Sequence, residues 1–234
     1  MNHLQFVKTK DNSFTLFNPE LNETYHSIHG AITESKHVFI KNGLQYFFEN
    51  KNIASVHVLE IGFGTGLNAL LSYLFCIEQQ KSLHYISYEP FSLSTDIVKQ
   101  INYTQQLNAN KDVEDFFLGL HVNKGTIFRS SNIAIDVKVI ESPYQQSVIS
   151  EKADVIFFDA FAPNKHPEIW LPEVFSKCYN ELNDSGILVT YCAKGEVKRT
   201  LKSVGFKVET LAGPPGKREM IRAVKLWEKF SLQV

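Results

Sequence analysis

Val56-His57-Val58-Leu59-Glu60-Ile61-Gly62-Phe63-Gly64-Thr65-Gly66 changes character half-way along. Val56, Val58, Leu59 and Ile61 make an apolar strand. Gly62, Gly64 and Gly66 then make a tight turn, and Leu67-Asn68-Ala69-Leu70-Leu71 reads as helix. Glycine is needed where the chain reverses through positive φ and where a ligand must approach the backbone with no Cβ in the way. The helix that follows directs its free N–H groups at whatever lies over the turn.

The spacing is G-x-G-x-G, and Leu67 stands where the dinucleotide fingerprint has its third glycine. Glu60, near the end of the strand, would repel a pyrophosphate, so a cationic or zwitterionic ligand suits this turn better. S-adenosylmethionine, with a sulfonium and an ammonium group, is such a ligand. The segment resembles the first motif of Rossmann-like methyltransferases, with Glu60, Gly62, Gly64, Gly66 and Asn68 as expected cofactor contacts.

Working outward, residues 84–88 read as a second strand ending at Glu89-Pro90, 23 residues beyond Gly66. A carboxylate there is placed to accept hydrogen bonds from two ribose hydroxyls. Residues 92–121 read as polar helix broken near Asn108-Ala109-Asn110, and residues 133–140 as a third strand closed by Glu141-Ser142-Pro143. Residues 153–158 form the most apolar strand, as suits a central parallel strand covered on both faces, and run into Asp159-Ala160-Phe161-Ala162-Pro163. A helix over 170–182 closed by Asp184-Ser185-Gly186, a strand over 187–192, a short basic helix over 195–204 and two strands near 206–211 and 220–225 complete the pattern.

The expected fold is α/β and Rossmann-like: a mostly parallel seven-stranded sheet with a C-terminal antiparallel hairpin. Residues 53–234 form that domain. Residues 1–52 form a small cap, with a hairpin from 4–7 and 14–17 and a helix capped by Thr33 or Ser35 and running to about Asn50.

Whole-chain properties bound the partners. In 234 residues no run of about 18 apolar residues occurs, so no membrane span is expected. The N-terminus lacks a signal core, which places the protein in the cytoplasm. Cys76, Cys178 and Cys192 are widely spaced without Cys-x-x-Cys, and the histidines lack metal-ligand spacing, so neither disulfides nor a metal is expected. The net charge of −1 hides an asymmetry: from Lys194 onward ten Lys/Arg stand against four acids. That segment suits a polyanionic partner, although a solvated helix face also accounts for part of it.

Ligands in open α/β sheets bind outside the carboxyl ends of the strands, where the strand order switches. The glycine turn, Glu89, Glu141 and Asp159 are expected along that edge. Phe161, Pro163 and Trp170 give Asp159 an aromatic neighbourhood that can stack on a nucleobase, while the carboxylate holds an amino group in line with a methyl donor. For Trp170, packing against the sheet edge is an equal reading.

Residues 25–39 (YHSIHGAITESKHVF), 60–68 (EIGFGTGLN), 157–170 (FFDAFAPNKHPEIW) and 216–220 (GKREM) together resemble the methyltransferase domain of the MnmC family of tRNA wobble-uridine modification proteins. The resemblance implies methyl transfer from S-adenosylmethionine to the primary amine of 5-aminomethyl-2-thiouridine at the wobble position. It also implies Asp159 and Phe161 as catalytic residues and Asp159 as a cofactor contact. A flavin-dependent oxidase domain follows in full-length members, and here the chain ends at Val234, so the stand-alone form is expected.

An alkylamine has a pKa of about 10 in water and must be neutral to attack. Desolvation beside Phe161 lowers that value and the anionic Asp159 raises it, so Asp159 is read first as orienting the amine and only second as accepting its proton. Lys165, Lys194, Lys198, Arg199, Lys217 and Arg218 are candidate phosphate contacts for an anticodon arm. Glu34 is read two ways, as closing over the site or as a first-turn acid favoured by the helix dipole. Two other functions compete: a same-fold methyltransferase acting on a small amine or a protein, and a non-catalytic RNA-binding subunit.

Overall fold

A computed structural model describes residues 4–129 and 134–226. The N-terminal strands β1 (Gln5–Lys8), β2 (Phe14–Asn18) and β3 (Glu23–Thr24) form a small antiparallel sheet. The expected hairpin is present and β3 extends it. The main sheet contains β4 (Ser55–Ile61), β5 (Ser82–Tyr88), β6 (Phe128–Arg129), β7 (Ile135–Ile140), β8 (Ala153–Phe158), β9 (Leu182–Thr190), β10 (Lys207–Ala212) and β11 (Glu219–Val224). Its order is β10-β11-β9-β8-β4-β5-β7-β6. Strands β9, β8, β4, β5 and β7 run parallel, and β11 is inserted antiparallel between β9 and β10.

The described residues thus give eight strands where seven were expected. The eighth, β6, is a two-residue antiparallel pairing with β7, too short to leave a periodic signal. Ile133, expected to begin β7, lies outside the described residues. Strand β9 starts at Leu182, earlier than expected. The Asp184-Ser185-Gly186 turn is a bulge within it: Ser185 takes φ 61, and the register with β8 shifts between Ala153 and Val155.

Strand β8 is central because both its faces are apolar. Val155 and Phe157 pack with Phe39, Leu70 and Phe116 on one side, while Ile156 and Phe158 pack with Trp170, Phe175 and Leu188 on the other. Helix covers residues 31–50, widening to π-type turns over Lys36–Gln45. Neither Thr33 nor Ser35 caps it. Gly30, at φ 136, stands at its start, and Asp11 from the β1–β2 turn accepts hydrogen bonds from the Thr33 amide (2.8 Å) and hydroxyl (2.9 Å). The cap is tertiary, beyond the reach of local sequence rules.

The region 92–121 is broken more than expected, into single turns at Thr95–Val98 and Tyr103–Gln106 and a helix at Lys111–Val122. The expected break is present: Asn108 takes φ 50 and Asn110 caps the last helix through the Val113 amide. From β4 the chain builds outward through β5 and β7, then crosses back to β8. The order therefore reverses between β4 and β8, where the Asp159 amide donates to the Ile61 carbonyl at 2.9 Å.

Candidate active site

Three positive-φ glycines shape the turn after β4: Gly62 (95°), Gly64 (51°) and Gly66 (77°). A Cβ on Gly62 would lie 2.6 Å from the Asp159 carbonyl oxygen, and one on Gly66 would lie 2.8 Å from His121 Nε2. Gly66 also precedes the helix Leu67–Glu78, whose first free N–H groups open over the turn. The Gly64 amide donates to Glu89 Oε2 (2.9 Å) and the Phe91 amide to Glu89 Oε1 (2.8 Å). Glu89 is thereby fixed at the end of β5. Burial raises its pKa, and those two amides oppose the rise.

Glu60 is fully buried beneath the turn. It accepts from Ser87 Oγ (2.6 Å) and Asn68 Nδ2 (3.0 Å), and burial, only partly offset by these bonds, pushes its pKa up to about 7. Asn68 Nδ2 also donates to Asp159 Oδ2 at 2.8 Å, so one amide ties the end of β4 to the end of β8. Asn68 Oδ1 is buried and has no partner among the described residues. Burial, then the carboxylates of Glu34 and Glu60, holds the Asp159 pKa well above the usual carboxylate range.

The other wall comes from distant segments. Tyr25 and Phe161 meet edge to face with centroids 5.0 Å apart, and the Trp170 indole donates to the Phe161 carbonyl at 2.7 Å. Trp170 thus packs behind the site, on the sheet side, as its second reading had it. Glu34 is buried, accepts from the Ser27 amide (2.8 Å) and pairs with Lys217 Nζ at 2.6 Å. Lys217 Nζ also lies 3.8 Å from the Tyr191 ring centre, and the Tyr191 hydroxyl donates to the Ala160 carbonyl at 2.9 Å. Glu23 faces the same space: burial raises its pKa, while the Ala162 amide, Lys165, Lys217 and Lys194 pull it down.

Most of the expected residues converge: Gly62, Gly64, Gly66, Asn68, Glu89, Asp159 and Phe161 gather about the glycine turn, with Glu60 buried beneath it and Glu34 and Lys217 to one side. Glu141 stays outside, exposed at the end of β7 and 3.4 Å from Lys124 Nζ. Lys194 is exposed and donates to Asn164 Oδ1 at 3.1 Å; Arg218 is exposed, and Lys198 is paired with Glu219 at 2.6 Å. Lys217 turns toward Glu34 and pairs with it while its side chain stays 31% exposed.

Glu23, Tyr25 and Tyr191 were not foreseen as site residues. Tyr25 lies in the block 25–39, and Tyr191 follows β9 at the same sheet edge as Asp159, so both carried a signal. Glu23 carried none. Among the described residues no group of three or more His, Cys, Asp or Glu side chains could hold a metal, and no helix is long and apolar enough to cross a membrane.

The sequence model for S-adenosyl-L-methionine-dependent methyltransferases matches residues 103–226, more than half of the chain. The chain belongs to this family. The methyltransferase is 31% identical over 216 residues to the tRNA 5-methylaminomethyl-2-thiouridine biosynthesis bifunctional protein MnmC of Idiomarina loihiensis, covering 85% of this chain and 35% of that protein. It is 32% identical to the MnmC of Leptospira interrogans, covering 91% of this chain and 34% of the relative. The chain therefore spans about a third of the length of these curated relatives.

Among solved structures, MnmC2 from Aquifex aeolicus superposes with a TM-score of 0.75 at 25% identity, covering 95% of this chain and 70% of that one. Spermidine synthase from Thermotoga maritima shares the fold, with a TM-score of 0.56 at 16% identity, 96% of this chain and 74% of that one.

S-adenosylmethionine is the cofactor of the family, and the crevice fits it. Gly62 lets the turn pack directly on the Asp159 backbone, Glu89 at the end of β5 suits a ribose diol, and Asn68 Oδ1 is a buried acceptor with no partner among the described residues, which suits the cofactor's ammonium.

Proposed function

We propose that this methyltransferase modifies the primary amine of 5-aminomethyl-2-thiouridine, or its 2-oxo counterpart, at the wobble position of tRNA, giving the methylaminomethyl base. The observation that carries the reading is the acid pocket beside the cofactor crevice. Asp159 lies two residues before Phe161, which meets Tyr25 edge to face, the Glu34 carboxylate acts on Asp159 while pairing with Lys217, and Glu23 bonds the Ala162 amide beside Phe161, a setting suited to an ammonium on a flat ring. The names of the relatives, which specify this modification, support it.

When bound, S-adenosylmethionine supplies an electrophilic methyl on its sulfonium; the amine lone pair forms the new N–C bond as the C–S bond breaks, leaving S-adenosylhomocysteine. Asp159, held by Asn68, orients the amine. The burial that raises its pKa also makes its ionised form a stronger base, suited to taking the proton that the amine must lose. Phe161 shields this exchange from water and supports the uracil ring. Asn68, held from beneath by Glu60, meets the cofactor's amino-acid portion and Glu89 its ribose, while Glu141 acts from outside through its charge beside Glu89.

Lys165, Lys194 and Arg218 meet phosphates of the anticodon arm, while Lys217 braces Glu34 over the site. Residues 1–52 act as the cap that completes the domain of residues 53–234, and the reaction takes place in the cytoplasm, where the tRNA is.

The test uses methyl-labelled S-adenosylmethionine and tRNA from cells lacking this gene, digested to nucleosides after reaction. Label in the 5-methylaminomethyl base is expected. Label only on protein or on a free amine, or none at all, would overturn the reading.

A further inference from the structure

Tyr25 lies across the glycine turn. A Cβ on Gly64 would sit 3.1 Å from Tyr25 Cδ1, and the same ring meets Phe161 edge to face with centroids 5.0 Å apart. The ring thus spans the space between the acid that suits the ribose, Glu89, and the reacting end at Asp159 and Phe161. In S-adenosylmethionine the sulfonium is the atom that joins these two ends.

The backbone that carries the ring is tied to β2 and, through the next residue, to the turn. The Tyr25 amide donates to the Leu16 carbonyl (2.9 Å), the His26 amide to Thr15 Oγ1 (2.9 Å), and His26 Nε2 lies 2.7 Å from Thr65 Oγ1 within the turn itself. Burial, aided by the Glu89 carboxylate, pushes the Tyr25 hydroxyl up to about 12, so the phenol is neutral at pH 7. Any pull on a cation therefore comes from the ring rather than from a phenolate.

We propose that Tyr25 is a positioning residue that reads the sulfonium charge of the cofactor, its ring forming with Phe161 an aromatic wall over the glycine turn. The inference rests on the cofactor assignment and is independent of which amine is methylated. A positive sulfur beside an electron-rich ring is held by the ring quadrupole, whereas the neutral thioether of S-adenosylhomocysteine gains no such term. Both ligands share the ammonium, carboxylate, ribose and adenine, so a comparison of the two isolates the sulfonium.

The experiment is calorimetric titration of both ligands into the wild type, Tyr25→Phe, and a protein with pentafluorophenylalanine incorporated at position 25, which keeps the ring shape and reverses its quadrupole. Affinity for S-adenosylmethionine is expected to hold in Tyr25→Phe and to fall about tenfold in the fluorinated protein, with S-adenosylhomocysteine within about twofold throughout. A parallel loss for both ligands, or an unchanged ratio across the series, would overturn the proposal. Because every variant keeps a six-membered ring in the same packing, the ratio remains readable.

Discussion

The proposed site has a cofactor half around Gly64 and Glu89 and an acceptor half around Asp159, and the two differ in where their residues come from. The first is built almost entirely from residues 60–91, joined by short hydrogen bonds within two adjacent strands and one turn. The second gathers Glu23 and Glu34 from the cap, Asp159 and Phe161 after β8, Tyr191 after β9 and Lys217 from the last loop. Each half has its own failure mode. Cofactor binding depends on a local backbone shape, whereas acceptor recognition depends on how distant segments dock.

That contrast breaks most visibly at Asp159, which borders both halves. Asp159→Ala should reduce methyl transfer by about a thousandfold while calorimetry shows S-adenosylmethionine affinity within about threefold of wild type. Equal losses of turnover and affinity would assign Asp159 to the cofactor half.

Glu60 sharpens the contrast through pH. Its carboxyl titrates at about 7 in the folded protein against an ordinary 4.5. Below 4.5 both folded and unfolded states are protonated and nothing is lost. Between 4.5 and about 7 the unfolded chain releases the proton that the fold retains, so stability falls as pH rises. Urea unfolding at about pH 4.5 and about pH 7.5 should show a loss on the order of 2 kcal/mol in wild type that Glu60→Gln lacks. Parallel pH profiles would contradict the burial of this acid.

Lys217→Met removes the brace from Glu34. The KM for tRNA should rise about tenfold with cofactor affinity unchanged, as a defect confined to the acceptor half requires. The smallest effects belong to the rim: Lys165→Ala and Lys194→Ala should each weaken tRNA binding a few-fold and lower the slope of log affinity against log salt by about one. A binding curve insensitive to salt would remove tRNA phosphates from the account.

The same contrast explains what was legible in the sequence. The glycine turn, Glu60, Asn68 and Glu89 could be read because strand, turn and helix rules act over a few residues and place them on one edge. The central strand β8 could be read because Val155, Ile156, Phe157 and Phe158, buried on both faces, leave an unbroken apolar run that stops at Asp159. The start of the helix over 31–50 could not, because its cap is Asp11, 22 residues from Thr33. Glu23 was equally hidden: a two-residue strand carries no period, and the acid becomes meaningful only when β3 docks beside Ala162. The pairing of Lys217 with Glu34 was not legible, because charge alone does not say whether a lysine faces solvent or a buried carboxylate.

The central claim, that cofactor and amine meet at the junction of β4 and β8, is tested most directly by a crystal structure of the protein soaked with S-adenosylmethionine. The account predicts the ribose on Glu89, the sulfonium against Tyr25 and the methyl directed toward the space between Asp159 and Phe161. A crevice that stays empty at saturating ligand, or a methyl directed away from Asp159, would contradict it.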